Sequence, residues 1–222
     1  MWQKNPCGYR CDYFFDKILA NAKNAFGEGT LKRDGQKTAS DLMDSTVRVI
    51  ARDGFDKAST RSIAGEIGLA DPYIYQYFSG KEALFSQTFR REDAAFAGEI
   101  RKHLPIMEQK SMSVKDRCRI LFDALWQYLM QHPDSCRFYV QYYYSPYYQK
   151  NSSAVHLEIW QPMMANLSAV FRPETDVKFV LRLALNTTLD LAVKTLNPGC
   201  GDDAAEQHFE LVYSIMAPWL NE

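Results

Sequence analysis

A chain of 222 residues is long enough for one or two domains and for a sizeable buried core. Hydrophobic residues make up 46% of the chain and aromatic residues 14%, which excludes a disordered tail. The formal net charge is −1, without the basic excess typical of nucleic-acid binders. Any affinity for DNA must therefore come from a few well-placed cations.

The sequence also lacks the signals of several other protein classes. It has no apolar run long enough for a membrane span and no secretory leader, so we expect a soluble cytoplasmic protein that makes no contact with membranes. No histidine follows a glutamate by three residues, and neither a phosphate-binding glycine loop nor a nucleophile elbow is present. We therefore predict a protein that is not an enzyme and has no cofactor.

Five cysteines are scattered along the chain, and their odd number and wide spacing argue against a disulfide framework. Cys7 and Cys11 lie four residues apart, but no second pair completes a metal site. Cys118, Cys136 and Cys200 are isolated. We expect free thiols and no bound metal.

The first 33 residues precede the recognisable part of the chain. Asp12–Phe26 has the apolar period of an amphipathic helix, and the glycines of 27–29 interrupt it. Two interpretations stay open for this extension. The helix packs on its own domain, or Lys32 and Arg33 form part of a basic arm that reaches DNA.

A helix is predicted from about Ser40 to Asp53, and Gly54 ends it. Phe55 should pack into a small core with Ile63, Leu69, Ile74 and Phe78. Two short helices follow within the stretch 58–78. Ser59 or Thr60 can cap the first of them, and Gly68 supplies the left-handed residue that ends it.

The second short helix should begin near Asp71, a favourable N-cap residue. Tyr73, Gln76 and Tyr77 point away from its apolar side, next to Arg61. These side chains offer aromatic edges, an amide and a guanidinium, which are the groups that a helix in the major groove needs. The stretch therefore predicts a helix-turn-helix.

Only helices are predicted after this motif. The first begins at Lys81 and runs to about His103, where Pro105 stops it. Proline-bounded segments then predict five more helices, at about 113–131, 134–145, 152–171, 174–196 and 202–220. Pro162 should kink the third of these five. The predicted fold class is all-α.

Aromatic residues crowd the helices of the middle of the chain. They favour a cavity for a small, mostly apolar or aromatic ligand, whereas an ordinary core with surface tyrosines has about equal weight. The candidate ligand-binding residues are Phe122, Trp126, Phe138, Tyr142, Tyr143, Trp160 and Glu158. For a cationic ligand, Asp123 or Glu158 would be the charged partner.

The order of several motifs resembles one family. The run Leu42–Leu84 is similar to the DNA-binding domain of the TetR family of bacterial transcriptional regulators. The matching pieces are Leu42-Met43-Asp44, Gly54-Phe55, Ile63-Ala64, Gly68-Leu69, Tyr75-Gln76-Tyr77-Phe78 and Lys81-Glu82-Ala83-Leu84. The resemblance covers roughly a fifth of the chain.

The resemblance assigns expected roles in DNA recognition. Arg61, Pro72, Tyr73 and Gln76 would contact base edges. Thr60, Tyr77 and Lys81 would hold phosphates. The position of Tyr75 is partly buried in the family, which gives that side chain a packing role first.

The resemblance also implies the organisation of the chain. It implies an extension (1–33), a three-helix helix-turn-helix domain (34–85) and a helical domain (86–222) for ligand binding and dimerisation. In the family the last two helices form a dimer interface, although an internal hairpin needs the same apolar pattern. The candidate interface residues are Leu181, Leu185, Leu189, Val212 and Met216.

The expected function is a homodimeric, ligand-responsive repressor that binds a pseudo-palindromic double-stranded DNA operator. The alternative is a ligand-independent architectural DNA-binding protein of the same fold. It would have a filled core where the regulator has a cavity.

Overall fold

A computed structural model describes residues 32–197 and 204–221, and helices dominate throughout this part of the chain. The ten α-helices of the described residues are α1 Lys32–Asp53, α2 Thr60–Glu66, α3 Ile74–Tyr77, α4 Lys81–His103, α5 Val114–Gln131, α6 Pro133–Tyr143, α7 Pro146–Asn151, α8 Ser153–Leu167, α9 Val177–Thr195 and α10 Ala204–Met216. The all-α prediction is confirmed. The extension helix expected at 12–26, together with Cys7, Cys11 and Cys200, lies outside the described residues.

Helix α1 begins earlier than the sequence pattern indicated. It starts at Lys32 rather than near Ser40, so Lys32 and Arg33 belong to its first turn instead of to an arm ahead of it. Gly54 ends the helix as predicted, with a left-handed φ of 81° and its N–H donated to the carbonyl of Ile50 at 2.9 Å. The apolar stripe gave no start signal because the first two turns of α1 are polar.

Helices α1 and α2 are joined by polar contacts around a small apolar core. The buried Ser45 hydroxyl donates to the carbonyl of Ile63 at 2.7 Å. At the surface Glu66 pairs with Arg48 and Arg52, each at 3.0 Å. These contacts fix α2 against α1, and so fix the angle at which the next helix is presented.

Helix α4 connects the two halves of the chain. Its 23 residues extend about 34 Å. Near its start Glu82 pairs with Lys150 of α7 at 2.8 Å, and further along Arg91 pairs with Asp44 of α1 at 2.7 Å. The helix ends at His103, as predicted from Pro105. It is therefore bonded to the N-terminal helices and to the later ones.

An aromatic cluster lies where α1, α4, α6 and α7 meet. Phe55 was expected in the core of the N-terminal domain, but its ring instead contacts Phe85, Phe138, Tyr142 and Tyr147, with centroids 5.3, 6.5, 6.0 and 5.8 Å away. The expected partners of Phe55 lie nearby in sequence, whereas three of the observed rings come from α6 and α7. Contacts with rings distant in the sequence therefore determine where Phe55 packs. We call these five residues the junction cluster.

The helix expected at 152–171 is shorter in the structure, and a short helix that was not predicted precedes it. Pro146 starts the separate short helix α7, a break at Ser152 precedes α8, and α8 continues through Pro162 to Leu167. A 3₁₀ turn then leads to Phe171, which forms an antiparallel bridge with Leu220 near the other end of the chain. This bridge ties the segment after α8 to the segment after α10.

Helices α9 and α10 pack on each other and close the C-terminal half. Asp176 caps α9 by accepting the N–H of Phe179 at 3.0 Å. Salt bridges from Lys115 to Glu210 and from Arg119 to Glu206 join α10 to α5. Among the described residues no helix is long and apolar enough to cross a membrane.

Candidate functional site

The start of α2 is built by a capping box. Ser59 is the N-cap, its hydroxyl accepts the N–H of Ser62 at 3.0 Å, and the Ser62 hydroxyl accepts the N–H of Ser59 at 2.9 Å. Of the two predicted caps, Ser59 is therefore the one used. Gly68 has a φ of 72° just after the helix, as predicted. Arg61 projects into solvent from the first turn.

The second helix of the motif begins differently from the prediction. Ala70 is the N-cap of a 3₁₀ turn over Asp71–Tyr73, and α3 follows without interruption. Asp71 is not the cap, and its Oδ1 is buried without a hydrogen-bond partner. The chain places Asp71 one residue inside the turn, where its carboxylate is not used as an N-cap.

The exposure of the α3 side chains identifies the outward surface. Ile74 is fully buried, whereas Tyr73 is 45% and Tyr75 59% exposed, and Gln76 also faces solvent. Tyr77 is half-buried, with its ring near Gly35 of α1. The packing role expected for Tyr75 is therefore wrong, because the one-turn helix directs Tyr75 outward and Tyr77 inward.

The remaining residues predicted to contact DNA surround these side chains of α3. Pro72 is exposed, and Thr60 and Lys81 are half-buried. The Lys81 ammonium lies 5.3 Å from the centroid of Phe85, which holds it at the start of α4. We call Thr60, Arg61, Pro72, Tyr73, Tyr75, Gln76, Tyr77 and Lys81 the reading surface. Among the described residues Arg61 makes no ion pair, so its charge is available to a polyanion.

A second feature is a cavity of about 650 Å³ in the C-terminal half. Helices α5, α6, α8, α9 and α10 line it, and α4 contributes Ile100. Leucine, methionine and aromatic side chains dominate the lining, as in sites for small apolar molecules. A filled core, which the architectural alternative requires, is absent from this part of the described structure.

Three of the predicted ligand residues, Phe122, Tyr143 and Trp160, line this cavity. The other four do not, and their placement is corrected as follows. Trp126 packs on His208, with centroids 4.9 Å apart, and Phe138 and Tyr142 belong to the junction cluster. Glu158 is exposed on α8. Helical spacing identified the aromatic faces of these helices but not which face meets the cavity.

A buried polar centre lies behind one wall of the cavity, around Asp93 of α4. This carboxylate is 1% exposed and accepts hydrogen bonds from the Tyr139 hydroxyl and the Trp160 indole, both at 2.8 Å. Nδ1 of His156 lies 3.1 and 3.0 Å from its two oxygens. Three side chains of the cavity wall, from the two helices α6 and α8, are thus bonded to α4. Of these four residues, only Trp160 was among the ligand candidates predicted from the sequence.

Two buried thiols also adjoin the C-terminal core. Cys118 and Cys136 are free and buried, which confirms the prediction of unpaired thiols for these two. Burial raises the pKa of Cys118 to about 11 and that of Cys136 to about 12. Both are therefore protonated near neutral pH and unreactive as nucleophiles.

The predicted dimerisation residues face inward. Leu181, Leu185, Leu189, Val212 and Met216 all line the cavity of the single chain. Among the exposed apolar residues of the same helices, Phe179 of α9 also lines the cavity, whereas Leu183 of α9 and Leu211 of α10 do not. Both sides of α9 carry apolar residues, so the sequence pattern could not show which side is turned inward.

The fold and the reading surface define a helix-turn-helix DNA-binding protein with a C-terminal helical domain. The family model for bacterial regulatory proteins, tetR family, matches residues 42–88. A curated relative, an uncharacterized HTH-type transcriptional regulator of Haemophilus influenzae, is 23% identical over 157 residues, which cover 69% of this chain and 81% of the relative.

Solved structures share the fold over most of the chain. TetR family regulators from Marinobacter aquaeolei and Shewanella sp. match with TM-scores of 0.64 and 0.65 and 17% identity, covering 84% and 83% of this chain and 98% of each of those chains. The regulator FadR from Bacillus subtilis, in complex with stearoyl-CoA, matches with a TM-score of 0.61 and 19% identity over 79% of this chain and 97% of that chain.

These findings agree with the resemblance seen in the sequence. Residues 42–88 form a DNA-binding domain of the TetR family, and the chain shares the fold of TetR family transcriptional regulators over most of its length. The proteins it matches are regulators and not enzymes.

Proposed function

We propose that the protein is a homodimeric repressor whose operator affinity falls when a small, mostly apolar molecule occupies the cavity. The observation that carries this proposal is the position of α6 between the two functional regions. Tyr139 and Tyr143 of α6 line the cavity, while Phe138 and Tyr142 join the junction cluster. A ligand that moves α6 would therefore move the helices that hold the reading surface.

In this proposal the helix-turn-helix domain spans 34–85, preceded by the extension 1–33 and followed by the regulatory domain 86–222. Arg61, Tyr73 and Gln76 lie in the major groove together with Pro72 and contact base edges. Thr60, Tyr77 and Lys81 fix the register on phosphates. The exposure of Tyr75 supports adding it to the surface that meets DNA.

Contacts along α4 and α6 support the proposed coupling. Beyond the junction cluster, the Gln141 amide of α6 donates to the carbonyl of Ile50 near the end of α1 at 3.1 Å. Asp93 ties the cavity wall to α4, whose start presents Lys81 to DNA. The fixed spacing of operator half-sites, about 34–36 Å, makes simultaneous docking of two domains sensitive to shifts of a few ångströms.

The dimer is proposed to form through the outward faces of α9 and α10. Leu183 and Leu211 are 43% and 50% exposed and do not line the cavity, and the two helices that carry them pack side by side. Large aliphatic side chains exposed on adjacent helices favour a self-complementary interface. In the proposed dimer they replace the inward-facing leucines inferred from the sequence.

The cavity favours the ligand-responsive regulator over the architectural alternative. A space of about 650 Å³ falls in the range used for drug-sized ligands. The similar fold of FadR holds stearoyl-CoA, a molecule with a long apolar chain. An apolar ligand suits the leucine and methionine lining described above.

The test begins with selection of bound duplexes from a random pool. We expect a pseudo-palindrome with half-sites about one helical turn apart, bound by a dimer with an affinity that falls steeply as salt rises. Anisotropy titrations of that duplex would then be repeated with fractions of a metabolite extract. One fraction should weaken binding. If no sequence is enriched, the DNA-recognition model is wrong. If no fraction changes the affinity, the ligand-responsive part fails.

A further inference from the structure

The polar groups at the cavity are unevenly distributed in the structure. Met163, Met164, Leu167, Phe122, Val212 and Leu220 make one large part of the lining purely apolar. Hydroxyl, imidazole and cationic side chains come from α6 to α9 instead. A molecule that matches this lining has an apolar body and a single polar end.

The hydroxyls of Tyr143 and Tyr148 lie together within the polar part. Their ring centroids are 4.6 Å apart, and the Tyr148 ring lies 5.7 Å from that of His156. Burial raises the pKa of Tyr148 well above its ordinary value, and the positive charge of Arg182 partly offsets that rise. Tyr148 thus remains protonated, with its hydroxyl hydrogen-bonded to Tyr143, and the charge of Arg182 acts on it.

His156 presents a second polar atom at this place. Because Nδ1 faces both oxygens of Asp93, it donates to them, and among the described residues Nε2 has no hydrogen-bond partner. The residue is 9% exposed and lines the cavity. Since Nδ1 carries the ring proton, Nε2 is an acceptor that suits a hydroxyl group or water.

The charges at the cavity favour an anion. Lys178 and Arg182 of α9 both line it, and neither forms a salt bridge within the described part of the chain. The Arg182 guanidinium lies 5.7 Å from the centroid of Phe179. The carboxylate of Asp176 also lines the cavity, but it already accepts the N–H of Phe179 as the cap of α9. Asp123, the earlier candidate for binding a cation, is paired with Arg119 at 2.9 Å.

We propose that the cavity binds an amphipathic anion, with its carboxylate or similar head group at Arg182 and Tyr148, beside His156, and its apolar chain along the methionine and leucine lining. Lys178 adds positive charge at the same end. The inference rests on the proposed ligand-responsive function and specifies the chemistry of that ligand. Because Asp93 holds His156, the head group is one side chain away from α4.

The test uses the full chain and three single-chain probes with the same apolar length: dodecanoate, dodecan-1-ol and dodecyltrimethylammonium. Calorimetric titration, below the concentration at which each probe aggregates, should give dodecanoate about tenfold higher affinity than the alcohol. Charge-assisted hydrogen bonds are roughly twice as strong as neutral ones, which sets this order of magnitude. The ammonium probe should bind most weakly.

Two variants locate the head group. Arg182→Gln should weaken dodecanoate about tenfold and leave the alcohol within about twofold, and Tyr148→Phe should weaken dodecanoate by a smaller factor. Arg101→Gln, which changes an exposed arginine away from the cavity, is the matched control and should change neither. Thermal unfolding checks that each variant is folded.

The outcomes separate the two levels of the proposal. Equal affinity for the three probes, or tightest binding of the ammonium, overturns the anionic head group but leaves the apolar ligand of the proposed function intact. An equal loss of dodecanoate and dodecanol affinity in Arg182→Gln also overturns it. If none of the probes binds, both the head group and the apolar-ligand part of the proposed function are wrong.

Discussion

The two halves of the molecule use aromatic residues in opposite ways. On the reading surface Tyr73 and Tyr75 are exposed, and the short helix beneath them is held by Ile74 and Phe78. In the C-terminal half most aromatic rings are buried against one another, around a cavity that they leave open. The first half is organised to present side chains to a partner. The second surrounds an open space.

The junction cluster contains residues from both halves of the molecule. Phe89, one turn beyond Phe85 on α4, stacks on Tyr142 with a centroid distance of 4.5 Å and also contacts Tyr139 and Tyr148. Packing there is dense, whereas the cavity beside it is open. Dense packing transmits displacement because close-packed interiors deform little. The comparison predicts different consequences for substitutions in the buried junction, on the reading surface and on the outer helices.

The largest effect should come from the outer face of α9. Leu183→Glu would place a charge in the proposed interface and should convert the dimer to monomers that bind the operator at least a hundredfold more weakly. Sedimentation equilibrium measures the change. Tyr144→Glu, at an exposed residue directly after α6, is the control and should stay dimeric. A dimeric Leu183→Glu protein would move the interface elsewhere.

The next effect concerns the folding of the junction. Phe89→Ala should lower the free energy of unfolding by about 3–5 kcal/mol, because it leaves a cavity among rings that are almost fully buried. Tyr75→Ala, at a side chain 59% exposed, should change it by about 0.5 kcal/mol or less. Denaturant titrations compare the two. Similar losses would contradict the division between presented and enclosed aromatics.

Operator affinity, in contrast to folding stability, should be sensitive to substitutions on the exposed reading surface. Arg61→Ala should cost about 1–3 kcal/mol of operator binding and relax the preference at one base pair in each half-site. Lys81→Ala should weaken all sequences about equally, since a phosphate contact carries no base information. Binding to a set of single-base operator variants distinguishes them. An Arg61→Ala protein with unchanged base preference would disprove the docking orientation.

The smallest expected effect concerns the capping box at the start of α2. Ser59→Ala removes one half of the capping box and should destabilise the protein by about 1 kcal/mol. Ser79→Ala, at an exposed serine without a hydrogen bond among the described residues, should be neutral. Thermal unfolding would show the difference. Equal melting temperatures for the two variants would mean that the cap contributes nothing measurable.

The same contrast explains what the sequence could predict. Caps and helix ends depend on neighbours within a few residues, so Ser59, Gly54 and Gly68 were identified correctly from local chemistry. The motif also carried enough local order to indicate its family. Asp71 is the exception, because a 3₁₀ turn that begins one residue early has no distinct sequence signal.

The fold of the C-terminal half depends on which helix faces meet, and local sequence patterns do not contain that information. An apolar stripe on α9 predicted buried leucines but not whether a partner or a cavity covers them. The clustering of aromatic residues indicated a cavity, yet Trp126, Phe138 and Tyr142 proved to fill space beside it. The Asp93 centre was missed because its partners lie 46 to 67 residues away in the chain.

The central claim is that the enclosed region and the presented region are energetically coupled. The most direct measurement is the affinity of dodecanoate for the free protein and for the same protein saturated with its selected operator. Linkage requires DNA to weaken dodecanoate by the same factor by which dodecanoate weakens DNA, and ordinary coupling of about 1–3 kcal/mol corresponds to roughly 5- to 150-fold. We expect a loss in that range. Identical dodecanoate affinity with and without the operator would contradict the coupling.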